Sequence, residues 1–247
     1  MKHERISGLA HAERPVRAPL DDEAVQRLLA RGLPRGDERV LDLGCGSGEW
    51  LLRALTAHPG VHAEGVDVSG DALDLARRAA AARGVAGRLV LHRQEAAGFE
   101  ASRPFDLVLC VGSGHAFGGL LPTLAAARSY LAPGGRVLLG DGFWADTPSP
   151  EAFGIFGELD DLATTVDRVV AAGWTPVEGH VSSRRELDAY EWACWGSLAS
   201  WALDHPADPD APEVLATATA RRTEWLHHYR DSWGFVTLVL RRTPEFR

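Results

Sequence analysis

The 247 residues are 45% hydrophobic and 24% charged, enough apolar material for one sizeable core, so a single domain over 1–247 with an elaboration is expected. A formal charge of -8 argues against a nucleic-acid footprint, and no run of 18 apolar residues reads as a membrane span. Three widely spaced cysteines (Cys45, Cys110, Cys194) form no CxxC pair, and MKHERISGLAHAERP lacks a secretory apolar core, so a cytoplasmic protein without a metal site is expected. Lys2 is the only lysine, which removes P-loop and Schiff-base chemistry from the core.

In chain order, Asp21 or Asp22 caps a helix with Ala24, Val25, Leu28 and Leu29 on its apolar face, ended by Gly32 and Pro34. Val40 to Leu43 is a short apolar strand, followed by a helix through Trp50, Leu51 and Leu55. Val61 to Val66 is a second strand, and Ser69 caps a helix to about Arg83. Leu89 to Leu91 and Leu107 to Val111 are buried strands. Leu120 to Leu131 is helical, Ala132 to Gly135 a turn, and Arg136 to Leu139 a fifth strand. Strands alternating with helices at this spacing mean βαβ units and a parallel sheet covered on both faces.

The rhythm changes after Gly140. Leu159 to Ala172 reads as a helix and Thr175 to Val181 as a strand. Two long helical segments follow, Arg185 to Leu203 and Pro212 to Asp231, separated by the breakers His205 to Pro209. Phe235 to Leu240 is the last strand. Residues 184–231 thus read as a helical lid inserted between the last two strands, and residues 1–38 as an N-terminal cover segment with its helix.

The stretch VLDLGCGSGEW, Val40 to Trp50, leaves a strand through Gly44, Gly46 and Gly48 and enters a helix. Such a loop lets backbone N–H groups approach a ligand at a helix N-terminus. The spacing is GxGxG, not the GxGxxG of dinucleotide sites, which disfavours a nucleotide-dependent oxidoreductase. A structural turn is the competing reading. Asp67, in GVDVS, ends the second strand roughly 20 residues further on, where a carboxylate can accept ribose hydroxyls.

The DLGCGSG sequence resembles motif I of class I S-adenosylmethionine-dependent methyltransferases. FDLVLCVGS, Phe105 to Ser113, resembles motif IV, and LAPGGRVLLGD, Leu131 to Asp141, the helix-turn-strand after it. The resemblance covers Arg39 to about Asp141. It implies a Rossmann-like α/β fold: a seven-stranded, mostly parallel sheet with helices on both faces and the last strand antiparallel. It also implies S-adenosyl-L-methionine as cofactor over the carboxyl edge, held by Asp42, Gly44, Cys45, Gly46, Gly48, Asp67, Val68, Glu95, Ala96 and Cys110. Glu95 departs from the family's usual Asp, and a solvated glutamate is its competing reading.

Methyl transfer from a sulfonium is largely a matter of positioning, with a base where the acceptor carries a proton. The loop GSGHAFGG, Gly112 to Gly119, leaves the fourth strand, and His115 is its only titratable side chain, which makes it the candidate base or substrate-orienting residue. The Asn-Pro-Pro-aromatic loop of methyltransferases acting on amide or adenine nitrogen is absent, which favours a small-molecule acceptor. Further substrate-binding candidates are His11, Ser113, Trp144, Tyr190, Trp195 and Trp201. Tyr190, Cys194, Ser197 and Trp201 share one helical face, and five of the eight tryptophans lie in or beside the lid. Packing of the lid is the competing reading for each aromatic. A protein or RNA methyltransferase, or a catalytically silent cofactor-binding protein, is the alternative function. Monomer and homodimer stay open.

Overall fold

The computed structural model describes residues 2–244, with side chains from Arg5 onward. The chain packs as two compact units. A sheet unit comprises Asp21–Asp141, Ala163–Val181 and the chain from Val236; a helical unit comprises the chain up to Leu20, Gly142–Leu162 and Ser182–Phe235.

In the sheet unit, α2 (Asp22–Gly32) starts where the sequence indicates, with the Asp21 carboxylate accepting the Ala24 N–H at 2.7 Å. α1 is the N-terminal helix Lys2–Ala10 of the other unit. The strands are β1 (Arg39–Leu43), β2 (His62–Asp67), β3 (Leu89–Arg93), β4 (Phe105–Val111), β5 (Leu131–Trp144), β6 (Trp174–Val181) and β7 (Trp233–Arg242). They form one seven-stranded sheet in the order β3-β2-β1-β4-β5-β7-β6. β1 pairs in parallel with β2 and β4, β2 with β3, and β4 with β5, whereas β6 and β7 are antiparallel. Helices α3 (Glu49–Ala57), α4 (Gly70–Ala82), α5 (Leu120–Tyr130) and α7 (Leu162–Ala171) intervene.

Leu41 and Leu43 of β1 and Leu107 and Leu109 of β4 are fully buried, as central parallel strands covered on both sides require, and so are Leu51 and Leu55 of α3. Each such side chain contributes about 1.5–3 kcal/mol by leaving water. That core fixes where β1 and β4 end, and therefore where their loops begin.

One expectation needs correcting. Ala132 to Gly135 is not a turn separate from the fifth strand, because β5 already pairs at Leu131. Leu131 lies opposite Phe105 and Arg136 opposite Leu107, so the intervening residues form an irregularity that Gly134, at φ +78°, accommodates. The strand also runs on to Trp144, and α7 starts at Leu162, later than the periodicity implies.

The helical unit contains α1, α6 (Pro150–Phe156), α8 (Arg184–Asp204) and α9 (Ala211–Glu224), with α9 ending in a π-helical turn over Trp225–Tyr229. α8 and α9 lie between β6 and β7 in sequence. A capping box starts α8: Ser183 Oγ accepts the Glu186 N–H at 3.2 Å, and Glu186 Oε2 accepts the Ser183 N–H at 2.7 Å. Leu187, Cys194 and Leu198 of α8 and Val214, Ala218 and Trp225 after it supply buried apolar side chains. No helix among the described residues is long and apolar enough to cross a membrane.

Candidate active site

β1 stops at Leu43, and the next two N–H groups, of Gly44 and Cys45, both donate to the Val66 carbonyl of β2, at 2.9 and 3.0 Å. The chain then turns through Gly44, Gly46 and Gly48 at φ +87°, +53° and +73°. These are left-handed conformations in which a side chain is strained. At Gly44 there is also no room, since an ideal Cβ would lie 2.3 Å from Ser113 Oγ. Gly48 is the N-cap of α3 and donates to Cys45 O at 2.8 Å, closing the loop on the helix N-terminus.

Two carboxylates belong to this loop. Asp67 Oδ2 accepts the Gly46 N–H at 2.7 Å and Oδ1 accepts the Ser69 N–H at 2.9 Å. A carboxylate offers about four acceptor positions, so two are left for a ligand. Asp42 is 3% exposed; burial, and then the nearby charge of Asp67, pushes its carboxyl up from 3.8 to about 8. At neutral pH it is mostly the neutral acid, able to donate as well as accept. Cys110 is buried in β4, and burial followed by the fields of Asp42 and Asp141 raises its thiol to about 12, leaving it an inert apolar neighbour. Cys45 is buried too, with Gly65 leaving space for its sulfur.

The same sheet edge continues at β2 and β3. Val68, directly after β2, is 57% exposed. Gln94 N–H donates to Asp67 O at 3.1 Å, tying the end of β3 to it. Glu95 is exposed and Ala96 buried, at the start of a 3₁₀ turn over Ala96–Gly98.

At the end of β4, Ser113 Oγ reaches back to the Gly44 carbonyl at 3.3 Å. A 3₁₀ turn over Gly114–Phe117 follows, with Gly114 buried and His115 exposed. Thr123 and Asp141 line Gly114, 3.4 and 3.5 Å from an ideal Cβ there, an ordinary van der Waals contact.

The remaining candidates lie in the helical unit. His11 and Tyr190, 179 residues apart, are hydrogen-bonded at 2.9 Å. His11 Nδ1 lies 2.8 Å from the Ser7 carbonyl, which can only accept. Nδ1 therefore carries the proton, and Nε2 accepts the Tyr190 O–H. Burial lowers the imidazole from 6.5 to about 4, with Arg17 and Arg221 adding to the effect, so it is neutral at pH 7. Burial, reinforced by Cys194, raises Tyr190 above the ordinary phenol range.

Trp144, Trp195 and Trp201 do not join this pair in one cluster. Trp144 is buried with its ring edge-on to Phe156 at 6.0 Å, and Phe156 in turn stacks on Trp233 at 5.3 Å. Trp195 is buried against the exposed Trp192. Trp201 stacks on His205, with the Arg5 guanidinium 4.9 Å from its ring.

The sequence reading missed Arg221 and Glu191, joined by two hydrogen bonds at 2.7 and 3.0 Å. It also missed Asp188, which accepts from the Trp225 indole N–H at 3.1 Å and twice from Arg230 at 2.8 Å. Arg230 first, and then Trp225, hold the Asp188 carboxyl below its ordinary value against the opposing effect of burial. An acid and a basic residue about thirty positions apart leave no periodic signal, but an acidic residue on the apolar side of a helix invites a search for a buried partner. Among the described residues no group of three or more His, Cys, Asp or Glu side chains is placed to hold a metal ion.

Comparison with known proteins agrees with this geometry. The family described as "Methyltransferase domain" matches residues 41–137, the segment from β1 into β5. The Escherichia coli protein YjhP is 30% identical over 247 residues, covering 96% of this chain and 98% of that one. A methyltransferase from Thiobacillus denitrificans, solved in complex with S-adenosyl-L-homocysteine, superposes with a TM-score of 0.86 at 29% identity, over 96% of this chain and 98% of that chain. One from Geobacter sulfurreducens, also with S-adenosyl-L-homocysteine, gives 0.88 at 27% identity over the same shares. With its glycine loop, its seven-stranded sheet and these full-length relatives, the chain belongs to the class I S-adenosylmethionine-dependent methyltransferases.

Proposed function

We propose that the chain transfers the methyl group of S-adenosylmethionine to a small-molecule acceptor, with His115 taking up or steering the acceptor's proton. The observation that carries this reading is the strand-end turn of β4, where an exposed histidine follows a serine whose hydroxyl rests on the glycine loop. The residues present fit the cofactor. Gly44 and Gly46 keep the loop backbone bare, and Asp67 retains acceptor positions for ribose hydroxyls. Glu95 and Ala96 flank the end of β3 for the adenine, and Val68 offers an exposed apolar surface beside it.

When bound, the cofactor supplies an electrophilic methyl group on a sulfonium. The protein's part is to hold the acceptor in line and exclude water. At pH 7 Asp42 is mostly the neutral acid and Cys110 the neutral thiol, which makes both poor nucleophiles for the methyl group. His115 carries an imidazole, whose ring nitrogens can take up or hand on a proton.

The small-molecule half of the reading rests on side-chain types. The helical unit groups Trp144, Phe156, Tyr229 and Trp233 in ring contact, and pairs His11 with Tyr190. Aromatic surface with a few fixed polar groups is how small planar ligands are held. The test is a metabolite extract incubated with protein and deuterium-labelled methyl donor, read by mass spectrometry. The expected result is label on one or a few small molecules; label confined to protein or RNA would overturn the reading.

A further inference from the structure

A cavity of about 730 Å³ lies wholly within the sheet unit, at the end of the sheet where β5 begins. Leu131 to Gly135 of β5, Gly173 before β6 and Arg241 to Pro244 at the end of β7 line it, with Arg128 of α5. β4 and β5 run parallel, with Phe105 opposite Leu131 and Val111 opposite Gly140. The glycine loop follows the other end of these parallel strands, since β1 pairs in parallel with β4. Six residue steps along β4 span about 20 Å at roughly 3.3 Å each. The cavity is separate from the cofactor loop.

Its walls carry one sign of charge. Arg128, Arg241 and Arg242 line it, and among the described residues no acid does. None of these three guanidinium groups has a carboxylate partner among the described residues. Other arginines of the same unit do: Arg35, Arg53 and Arg77 pair with Asp106, Asp22 and Asp74 at 2.9, 2.7 and 2.6 Å. The chain holds 34 acidic residues against 26 basic ones, so acids to pair here were not scarce. Beside the cavity on β5, burial and then the charges of Arg241 and Arg31 push the Arg136 guanidinium down from its ordinary value. Positive charge at this end of the sheet is left uncompensated. An ideal Cβ at Gly134 or Gly173 meets nothing within 4 Å, so the wall there is bare backbone.

We propose that this cavity is a second ligand site, which takes a small polyphosphate held by Arg128, Arg241 and Arg242. Three permanent positive charges around one concavity match a compact ligand with several negative charges. Each guanidinium fork can engage a phosphate group with two parallel hydrogen bonds. The volume suits a small ligand, for which pockets run to about 300–1,000 Å³. A nucleic acid needs an extended basic face, which a chain of net charge -8 opposes. The site does not depend on which molecule the protein methylates.

The test is calorimetry with inorganic triphosphate on protein saturated with S-adenosylhomocysteine, so that the glycine loop is filled. The unmodified protein should bind one triphosphate per chain, with raised salt weakening the binding. Orthophosphate, with fewer charges, should bind about tenfold more weakly or worse. The double variant Arg128→Gln, Arg241→Gln should lose about a hundredfold in triphosphate affinity, the scale for two charge-assisted hydrogen bonds. Its S-adenosylhomocysteine affinity should be unchanged. Arg242→Gln alone should lose about tenfold, and it carries the test if the double variant does not fold. Arg77→Gln, which removes one exposed arginine of α4, makes the same change in net charge and should bind triphosphate normally. Adenosine triphosphate binding more tightly than triphosphate would assign the cavity to a nucleotide, and equal binding to the phosphate chain alone; both support the site. No triphosphate binding, variants of the lining arginines that bind like the unmodified protein, or an equal loss in Arg77→Gln would overturn the proposal. So would tighter binding of a single-stranded twenty-nucleotide DNA than of triphosphate.

Discussion

The Asp67 carboxylate accepts the Gly46 N–H at 2.7 Å, joining the end of β2 to the middle of the glycine loop. One side chain thus shapes the loop, and in the proposed function its remaining acceptor positions serve the ribose. Asp67→Ala should weaken S-adenosylmethionine binding about ten- to hundredfold, as expected when a hydrogen-bonded charged group is lost. The far-UV spectrum should stay native. Unchanged affinity by calorimetry would refute the placement.

Gly44→Ala tests the close approach of Ser113. The substitution forces a side chain at φ +87°, costing about 1–2 kcal/mol, and adds a clash with the Ser113 hydroxyl. Denaturant unfolding should show the loss. Adding Ser113→Gly should recover the clash but not the backbone strain, so partial rescue is expected, and no rescue would mean that the serine does not set the spacing.

The path of the glycine loop was legible because it is local: an apolar strand, three glycines and a helix within eleven residues. The sheet strands were legible for the same reason. In the helical unit the two long helices α8 and α9 were legible, but the unit's grouping was not, because its parts come from three stretches of chain and only tertiary contact brings them together. His11 is a candidate from the N-terminal cover segment and Tyr190 from its helical face, and nothing in the sequence pairs them. α6 could have been found, since Ser149 caps it, accepting the Ala152 N–H at 3.0 Å, and Pro150 occupies its first turn. α1 has no such signal and contains a glycine at position 8.

Two buried groups give stability a pH signature. The Asp42 carboxyl is raised from 3.8 to about 8 on folding, so the folded state holds the extra proton and stability falls as pH rises across that interval. His11 is depressed from 6.5 to about 4, so its contribution is full above 6.5 and is lost as pH falls toward 4. The two oppose each other between about pH 4 and 6.5, and Asp42 acts alone from there to about 8. In that upper window the cofactor-free protein should lose stability by up to about 1.4 kcal/mol per pH unit. Asp42→Asn should remove that slope, and His11→Gln should leave it and extend it down toward pH 4, where the two contributions otherwise cancel. Melting curves at closely spaced pH values check both.

Trp195 and Trp201 should respond differently to truncation. Trp195 is 4% exposed, and Trp195→Ala should cost about 3–5 kcal/mol. Trp201 is partly exposed beside Arg5 and His205, so Trp201→Ala should cost about 1 kcal/mol. Denaturation of both variants, run beside acceptor KM, separates packing from recognition: a KM effect without a stability loss would mark a pocket residue.

The most direct test of the account is His115→Ala under turnover with the acceptor found by isotope labelling. The account predicts a kcat lower by at least about 100-fold, the lower end for loss of a general base, with S-adenosylmethionine affinity unchanged. A rise in acceptor KM alone would make His115 an orienting residue. Unchanged kcat and unchanged KM would contradict the assignment of the strand-end histidine to the reaction.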